Sequence, residues 1–341
     1  MKKSFLLLSF ALFLFSCADI LQAAAPEKIN AGFRTIGIWN NKQNMHLDIN
    51  VWYPSKGRQT EHSYTPWTIR AARNAAPLAG PFPVLLLSHA TPGNRFSYHE
   101  LAASLARSGY IVVAPTHEGD NMDDMHLLYA PGQIRARVTH LQAALEAILA
   151  DEKLGPCADR EQIGVIGFRS GGTAALAIAG AHMDPKGWKN YCSAAEEDEQ
   201  YCTPWARRRI DYLAEHTDMN EDLSDMRIKA VAAISPLFGM FLTPKALQGI
   251  NAETLLVETG EDEHVSKANT FLASRFPKQP FVVRIPQADT GGMMSEFPHS
   301  LTWELPELCS SVSKEERTHI MHRLRRELAD FFGKVLRSDV Q

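Results

Sequence analysis

The sequence predicts an α/β protein with a mostly parallel central sheet and helices on both faces of that sheet. Three observations support this prediction. Short apolar runs of strand length alternate with helical patterns from Val84 onward. Apolar residues make up 45% of the 341 residues and charged residues 22%, which is typical of a globular chain with a large core. Finally, residues 163–177 lead from an apolar run through a glycine-bracketed turn into an alanine-rich stretch typical of a helix.

Residues 1–25 have the organisation of a secretion signal. Lys2 and Lys3 precede an apolar stretch and a segment of small residues that is compatible with cleavage near Ala23. The stretch that ends at Cys17 also resembles a lipobox, so a lipid anchor there stays open as the less favoured route. No later segment is apolar enough to cross a membrane. The sequence therefore predicts a periplasmic or secreted protein.

The remaining cysteines agree with export, because Cys157, Cys192, Cys202 and Cys309 form an even set in a chain bound for an oxidising compartment. We expect a disulfide between Cys192 and Cys202, which flank an acidic run with little core of its own. Pairing of Cys157 with Cys309 follows only by elimination. A zinc site is not expected, because no two cysteines have C-x-x-C spacing.

The first elements of the chain read as a β-hairpin. Residues 33–39 and 47–53 are rich in strand-forming residues and are expected to be antiparallel edge strands. Residues 55–82 show no clear periodicity and are expected to form a surface excursion. A continuous apolar run at 83–88 is typical of a central parallel strand that is buried on both faces.

The next elements continue the alternation. Ser97 and Glu100 have the spacing of a capping box, for a helix that Gly109 ends. A strand is predicted at 110–114, and apolar residues at helical spacing predict a helix over 133–149.

Residues 163–166 are expected to form a strand that leads into a helix at 171–181. The segment 182–227 interrupts the alternation and is interpreted as a cap-like insertion in one domain that spans 26–341. The later predicted elements are strands at 228–234, 254–258 and 281–285, a helix at 266–276, and a closing helix at 314–336 with one apolar stripe.

The net charge of −4 and the isoelectric point near 6.4 argue against nucleic acid as a partner. Such binding requires a basic surface that neutralises phosphates. The expected partner is a small molecule, either an ester or an anion, and no cofactor is predicted.

The turn at 167–171 resembles a nucleophile elbow with an unusual residue at its tip. In the motif G-x-S-x-G, a serine occupies a strained turn between a strand and a helix, and the flanking glycines let the backbones pass closely. Gly167 and Gly171 are the two glycines of that motif. The residue at the tip is Arg169, and Ser170 follows one position too late.

The order of these features resembles the α/β-hydrolase fold, with a hairpin, a strand that ends at His89, a later elbow and an acidic turn at Asp262. More narrowly, the mature chain is similar to the bacterial dienelactone hydrolase family that is related to platelet-activating-factor acetylhydrolase. The stretches that carry the resemblance are 48–54, 87–89, 109–115, 227–231 and the glycines of the elbow.

The resemblance implies a catalytic triad and an oxyanion hole. In such enzymes a serine attacks an ester carbonyl, a histidine takes its proton, an aspartate orients the histidine, and two backbone N–H groups hold the oxyanion. Asp262 matches the acid, and the N–H donors would lie at Thr91 and Ser170. Arg169 stands at the nucleophile position and Thr290 at the base position, so two triad members do not match.

The favoured interpretation is a hydrolase-fold protein that has lost ordinary serine-esterase activity. Arg169 and the N-terminus of the following helix would then bind a carboxylate or phosphate, with His89 as a further candidate ligand residue. An ion pair between Arg169 and Asp262 is the competing role for this arginine.

Two alternatives use other residues. Ser170 would serve as a displaced nucleophile if His299, or His264 beside the acid, replaced the missing base. A metal-dependent enzyme would instead use the donors of the loop after the second parallel strand, which are His117, Glu118, Asp120, Asp123, Asp124 and His126.

Overall fold

The computed structural model describes residues 28–40, 45–65, 67–128, 130, 132–194, 202–216, 221–237, 243–260, 272–296 and 312–337. The predicted signal segment lies outside these residues, as do Cys17, Asp262, His264, His299, Cys309 and residues 266–271 of the predicted helix.

Within the described residues, ten strands form one sheet in the order β10-β9-β8-β7-β5-β6-β2-β1-β4-β3. The strands are β1 Asn30–Asn40, β2 Met45–Ser55, β3 Thr60–Tyr64, β4 Trp67–Arg73, β5 Phe82–Ser88, β6 Ile111–Pro115, β7 Ala158–Phe168, β8 Ile228–Ile234, β9 Glu253–Thr259 and β10 Phe281–Ile285. From β6 to β10 all neighbouring strands are parallel, and β2 runs antiparallel to both β1 and β6. A mostly parallel sheet with an antiparallel hairpin is therefore confirmed.

The helices are α1 His99–Arg107, α2 Gln133–Ala150, α3 Ser170–Ile178, α4 Pro185–Ala194, α5 Pro204–His216, α6 Pro244–Leu247, α7 Thr290–Met293 and α8 Lys314–Leu336. One core packs α1 and α8 against the sheet, and a second core packs α2 and α3 against its other face. Helices thus cover both faces, which explains why the parallel strands read as continuous apolar runs.

The prediction for residues 55–82 was wrong, because β3 and β4 extend the sheet there. Trp67, Ile69 and Ala71 are buried while Thr68 and Arg70 are exposed. This two-residue alternation is typical of a strand with one buried face. The two added strands also mean that neither strand of the hairpin lies at the edge of the sheet, because β1 neighbours β4 and β2 neighbours β6.

The predicted capping box at the start of α1 is absent. Helix α1 begins at His99, and the hydroxyl of Ser97 accepts a hydrogen bond from the N–H of Asn94 at 2.9 Å. Glu100 pairs with Arg317 on α8 at 2.7 Å. Ser97 is therefore used by the preceding turn, and Glu100 joins two helices. The helix ends before Gly109, which has a φ of 86°.

The segment that was predicted to be a cap-like insertion contains α4 and α5. A disulfide between Cys192 and Cys202 links α4 to the start of α5. Arg207 donates from Nε to the carbonyl oxygen of Cys202 at 2.7 Å, which adds a polar contact beside the bridge. The expected pairing of Cys157 is absent, because this residue is a free cysteine whose thiol contacts the carbonyl oxygen of Lys153.

Within the parts of the chain that the structure describes, none of the helices combines the length and the apolar character that a membrane span requires.

Candidate functional site

The site is organised by the sharp turn between β7 and α3. Arg169 occupies its tip with φ 50° and ψ −113°, a backbone conformation that residues other than glycine rarely adopt. A Cβ atom on Gly167 would overlap the carbonyl oxygen of Gly171, and a Cβ on Gly171 would overlap that of Ser88. Glycine is needed at both positions, because another part of the backbone passes so close that it leaves no room for a side chain. The geometry is that of a nucleophile elbow with arginine at its tip.

The guanidinium of Arg169 is partly buried, and it forms no hydrogen bond or ion pair with any residue that the structure describes. Its backbone is tightly held, since its N–H donates to the carbonyl oxygen of Ile234 at 2.9 Å. Helix α3 begins at the next residue, so the first N–H groups of that helix have no partner inside it. A positive side chain and a positive helix end therefore lie at adjacent positions of the chain.

Ser170 is 1% exposed, and its hydroxyl lies 2.8 Å from Oγ1 of Thr91. The direction of this bond follows from the other partners of Thr91. That hydroxyl donates its single proton to Oδ1 of Asp120 at 2.7 Å, and it accepts from Nη2 of Arg137 at 2.6 Å. Ser170 is therefore the donor. Its hydroxyl bonds to a threonine, whereas a nucleophilic serine requires a base as its partner.

Phe168 lies directly before the tip of the elbow and is 1% exposed. Its ring stacks on Tyr98, with centroids 3.7 Å apart and planes 13° from parallel. The apolar side chain before Arg169 is thus buried in the core.

A buried arginine, Arg137, is linked to the elbow through Thr91. It is not among the site residues predicted from the sequence. Arg137 on α2 is 0% exposed, and each of its five N–H groups has an acceptor. Nε donates to Asp120 at 2.5 Å, Nη1 to the carbonyl oxygen of His89 at 2.6 Å and to Ser88 at 3.4 Å, and Nη2 to Thr91 at 2.6 Å and to the carbonyl oxygen of Asp120 at 3.3 Å. The Arg137 side chain therefore connects α2 with the loops that follow β5 and β6.

Asp120 is the counter-ion and is also fully buried. Its carboxylate accepts from Arg137, from the hydroxyl of Thr91 and from Nε2 of Gln133. Burial alone would raise the pKa of Asp120, but the charge and hydrogen bond of Arg137, with the bonds from Thr91 and Gln133, outweigh burial and lower this pKa. The pair is thus a satisfied buried ion pair.

Three histidines surround this ion pair. The ring of His117 lies 4.7 Å from that of His89 and 5.6 Å from that of His140, centroid to centroid. Burial, reinforced by the charge of Arg137, lowers the pKa of His89 to about 3 and that of His140 to about 4, and it lowers the pKa of His117 strongly. All three rings are therefore neutral at neutral pH.

His89, a candidate ligand residue, is buried and makes its hydrogen bonds inside the protein. Its ring is 1% exposed, Nδ1 bonds to the carbonyl oxygen of Ala90 at 2.8 Å, and Nε2 accepts from the N–H of His117 at 3.1 Å. Both ring nitrogens are thus used inside the protein.

The loop at 117–126 does not bring its candidate metal ligands together. His117 bonds to Ser88 and Asp120 pairs with Arg137, and both are buried. Asp124 and His126 instead pair with each other at the surface. Across the described ranges, no group of three or more histidine, cysteine, aspartate or glutamate side chains has a geometry that would hold a metal ion.

The positions that the resemblance assigns to the acid and the base follow β9 and β10. Asp262 and His299 lie outside the described residues, and Thr290 begins the short helix α7. A Cβ on Gly260 would overlap the carbonyl oxygen of Pro286, so the two loops that carry these positions are in contact. Next to the elbow, Ser235 has a φ of 42° and its hydroxyl bonds to that of Thr259 at 2.6 Å.

A sequence signal for the buried ion pair exists on α2. Gln133, Arg137 and His140 follow the i, i+4, i+7 spacing of one helix face. Arg137 also lies three residues after Ile134 and four before Leu141, within the apolar stripe itself. A charged residue inside such a stripe indicates a buried partner, although it does not say which residue that partner is.

The sheet order and the strained turn define the class of this protein as an α/β-hydrolase-fold protein. Residues 70–188 match the dienelactone hydrolase family. The chain is therefore similar to dienelactone hydrolases over this segment, and it has the fold of dienelactone hydrolase-like α/β hydrolases. A search of curated proteins found no match to the chain.

Solved structures with the same fold include three enzymes of low sequence identity. A ferulic acid esterase from Streptomyces cinnamoneus is 17% identical with a TM-score of 0.63, over 93% of each chain. A dienelactone hydrolase from Anabaena variabilis is 15% identical with a TM-score of 0.51, over 91% of this chain and 99% of that one. A dienelactone hydrolase-like promiscuous phosphotriesterase from metagenomic libraries is 14% identical with a TM-score of 0.51, over 90% and 99%.

Proposed function

We propose that this protein is an exported dienelactone hydrolase-like protein that lacks ordinary serine-esterase activity and binds the anionic group of a small molecule at Arg169. The observation that carries the proposal is the arginine at the strained tip of the elbow, whose guanidinium no described residue neutralises. The proposal treats 26–341 as one domain with a cap-like insertion at about 182–227.

The loss of esterase chemistry follows from the groups at the triad positions. Arg169 cannot act as a nucleophile, because a guanidinium stays protonated at any working pH. The hydroxyl of Ser170 donates to Thr91, and Thr290 at the base position is not a general base. Removal of a triad member lowers turnover by about 10⁴ to 10⁶ in a well-studied serine protease. A chain without two members is therefore not a slow esterase.

An anion is the ligand class that suits the remaining site. The guanidinium offers paired donors to a carboxylate or phosphate, and the N-terminus of α3 adds N–H groups and the positive end of a helix dipole. Ferulate is a suitable carboxylate probe, because a ferulic acid esterase is among the structures with this fold. Inorganic phosphate is the second probe.

Calorimetry with ferulate and with phosphate tests the binding proposal. We expect Arg169→Ala to weaken binding of at least one probe by tenfold or more. Arg70→Ala is the matched control, because it removes the same charge from an exposed position on β4. Failure of the wild-type protein to bind either probe, or equal binding by wild type and Arg169→Ala, would contradict the proposal.

A fluorophosphonate probe tests the loss of activity. No labelling of the folded protein is expected. Labelling that maps to Ser170 would show that the displaced serine is an active nucleophile and would overturn the proposal.

The proposal of export is supported by the disulfide between Cys192 and Cys202, since such bridges persist in oxidising compartments. Mass spectrometry of the protein from a bacterial host should find a mature N-terminus near Ala23. A lipid-modified Cys17 would replace this route with the anchored one, and an intact N-terminus in the cytoplasm would contradict export.

A further inference from the structure

We propose that Thr91 and Arg137 are positioning residues that hold the elbow in the conformation that presents Arg169 to an anion. This inference rests on the proposed function, because it concerns how the same site is kept in shape.

The polar network around Arg137 and Asp120 is closed. Arg137 has acceptors for all five N–H groups, and Asp120 accepts from three side chains. The hydroxyl of Thr91 uses its proton toward Asp120 and its lone pairs toward Arg137 and Ser170. Such a network has one low-energy arrangement, because any displaced member would leave a buried polar group without a partner.

This network lies between α2 and the elbow. It joins α2 to the loops after β5 and β6, and through Thr91 it reaches the first residue of α3. Ser170 is directly bonded in the chain to Arg169. The Thr91 hydroxyl is therefore the point at which the buried ion pair contacts the elbow.

The strained elbow needs support from residues outside it. A non-glycine residue with φ 50° and ψ −113° persists only where its surroundings over-determine it. On one side the N–H of Arg169 bonds to the end of β8, at the carbonyl oxygen of Ile234. On the other side Thr91 holds the next residue, and the carbonyl oxygen of Arg169 accepts from the N–H of Leu237 at 3.2 Å. Loss of the Thr91 hydroxyl therefore releases one of these anchors.

The network also does more than fill the core. A buried ion pair is weak evidence for stability, since apolar replacements of the same volume are often neutral or stabilising. Its side chains converge on the loop that faces the elbow, whereas the apolar cores on both faces of the sheet are continuous without it. We therefore assign Thr91 and Arg137 a role in site geometry.

The test measures the affinity of three variants for ferulate and for phosphate. Thr91→Val keeps the shape of the side chain but removes its hydroxyl, and we expect about a tenfold loss of affinity. Thr91→Ser keeps the hydroxyl and should restore binding to within about twofold of wild type. Thr254→Val is the matched control, because it removes a buried hydroxyl bond at the start of β9, away from the elbow.

Unfolding curves and calorimetry are measured on each variant at a temperature where all are folded. A purely structural role predicts that Thr91→Val and Thr254→Val both lower stability while affinity stays unchanged. That result, with Arg169→Ala still weakening binding by tenfold or more, overturns the positioning role alone. Unchanged binding by Arg169→Ala would instead overturn the proposed function. Arg137→Met is a second variant, expected to lose affinity like Thr91→Val wherever it folds.

Discussion

Ser170 donates a hydrogen bond from its hydroxyl to Oγ1 of Thr91, with the two oxygens 2.8 Å apart. This bond separates the serine from the chemistry that its position beside the elbow suggests. The partner of Thr91 is a carboxylate whose pKa is lowered by an arginine, not a base that would take the serine proton. This arrangement supports the proposal that the site binds a ligand and does not carry out acyl transfer.

Restoring a nucleophile alone should not restore hydrolysis. We expect Arg169→Ser to remain unlabelled by a fluorophosphonate, because Thr290 stands at the position that the resemblance assigns to the base. The double variant with Thr290→His should become labelled and should hydrolyse a phenyl ester at least about 100-fold faster than Arg169→Ser, which is the usual contribution of a general base. Equal rates for the single and double variants would show that Thr290 does not mark the base position.

Stability should fall as the solution becomes acidic, because four histidines have depressed pKa values. Burial lowers the pKa of His89 to about 3 and those of His99 and His140 to about 4, and it lowers that of His117 strongly. The unfolded chain then binds more protons than the folded chain below pH 6.5. The stability that these neutral histidines contribute is fully present above pH 6.5 and decreases as the pH falls toward 4.

Urea unfolding at pH values from 7 to 4 measures this dependence. Each buried histidine contributes a slope of up to about 1.4 kcal/mol per pH unit. His140→Gln should reduce the slope, because burial lowers the pKa of this histidine. An equal slope in wild type and His140→Gln would contradict the conclusion that burial lowers the pKa of His140.

Breaking the buried ion pair should be costly. Arg137→Met leaves the carboxylate of Asp120 buried without its counter-ion, and we expect a loss of about 3 to 5 kcal/mol in the free energy of unfolding. The control is Arg135→Met on the same helix. Arg135 pairs with Glu221 at the surface, where both side chains are more than a third exposed, so a loss of about 0 to 1 kcal/mol is expected. Equal losses would mean that burial does not determine the cost.

The disulfide should stabilise the insertion more than the sheet. Cys192→Ser removes a bridge that closes a short loop between α4 and α5, and bridges of this kind contribute about 2 to 4 kcal/mol. Limited proteolysis should cut residues 185–216 faster in this variant, with the sheet still folded by circular dichroism. Cys157→Ser is the control, because Cys157 is a free cysteine. Unchanged cleavage of the insertion would contradict the prediction.

Local patterns predicted most of the fold. The strands 228–234 and 281–285 and the helix 314–336 have the predicted bounds, because apolar periodicity of two or 3.6 residues reports directly on a local conformation. The strands at 60–64 and 67–73 were missed, since arginines on the exposed face of β4 resemble a polar loop until the buried alternation is recognised. The capping box at Ser97 failed because a neighbouring turn competes for the same hydroxyl.

The sequence by itself determined the fold class, the glycine-bracketed elbow and the presence of arginine at its tip. These features depend on residue order and on backbone sterics, which act over a few residues. Only the tertiary structure decided the partners of the polar side chains. Arg137, Asp120 and Thr91 lie on different segments, and the hydrogen bonds that join them exist only because α2 packs beside the ends of β5 and β6. The same packing buried His89, whose place at the end of a strand had suggested a ligand contact. Distances between segments far apart in sequence are set by packing, and residue spacing carries no information about them.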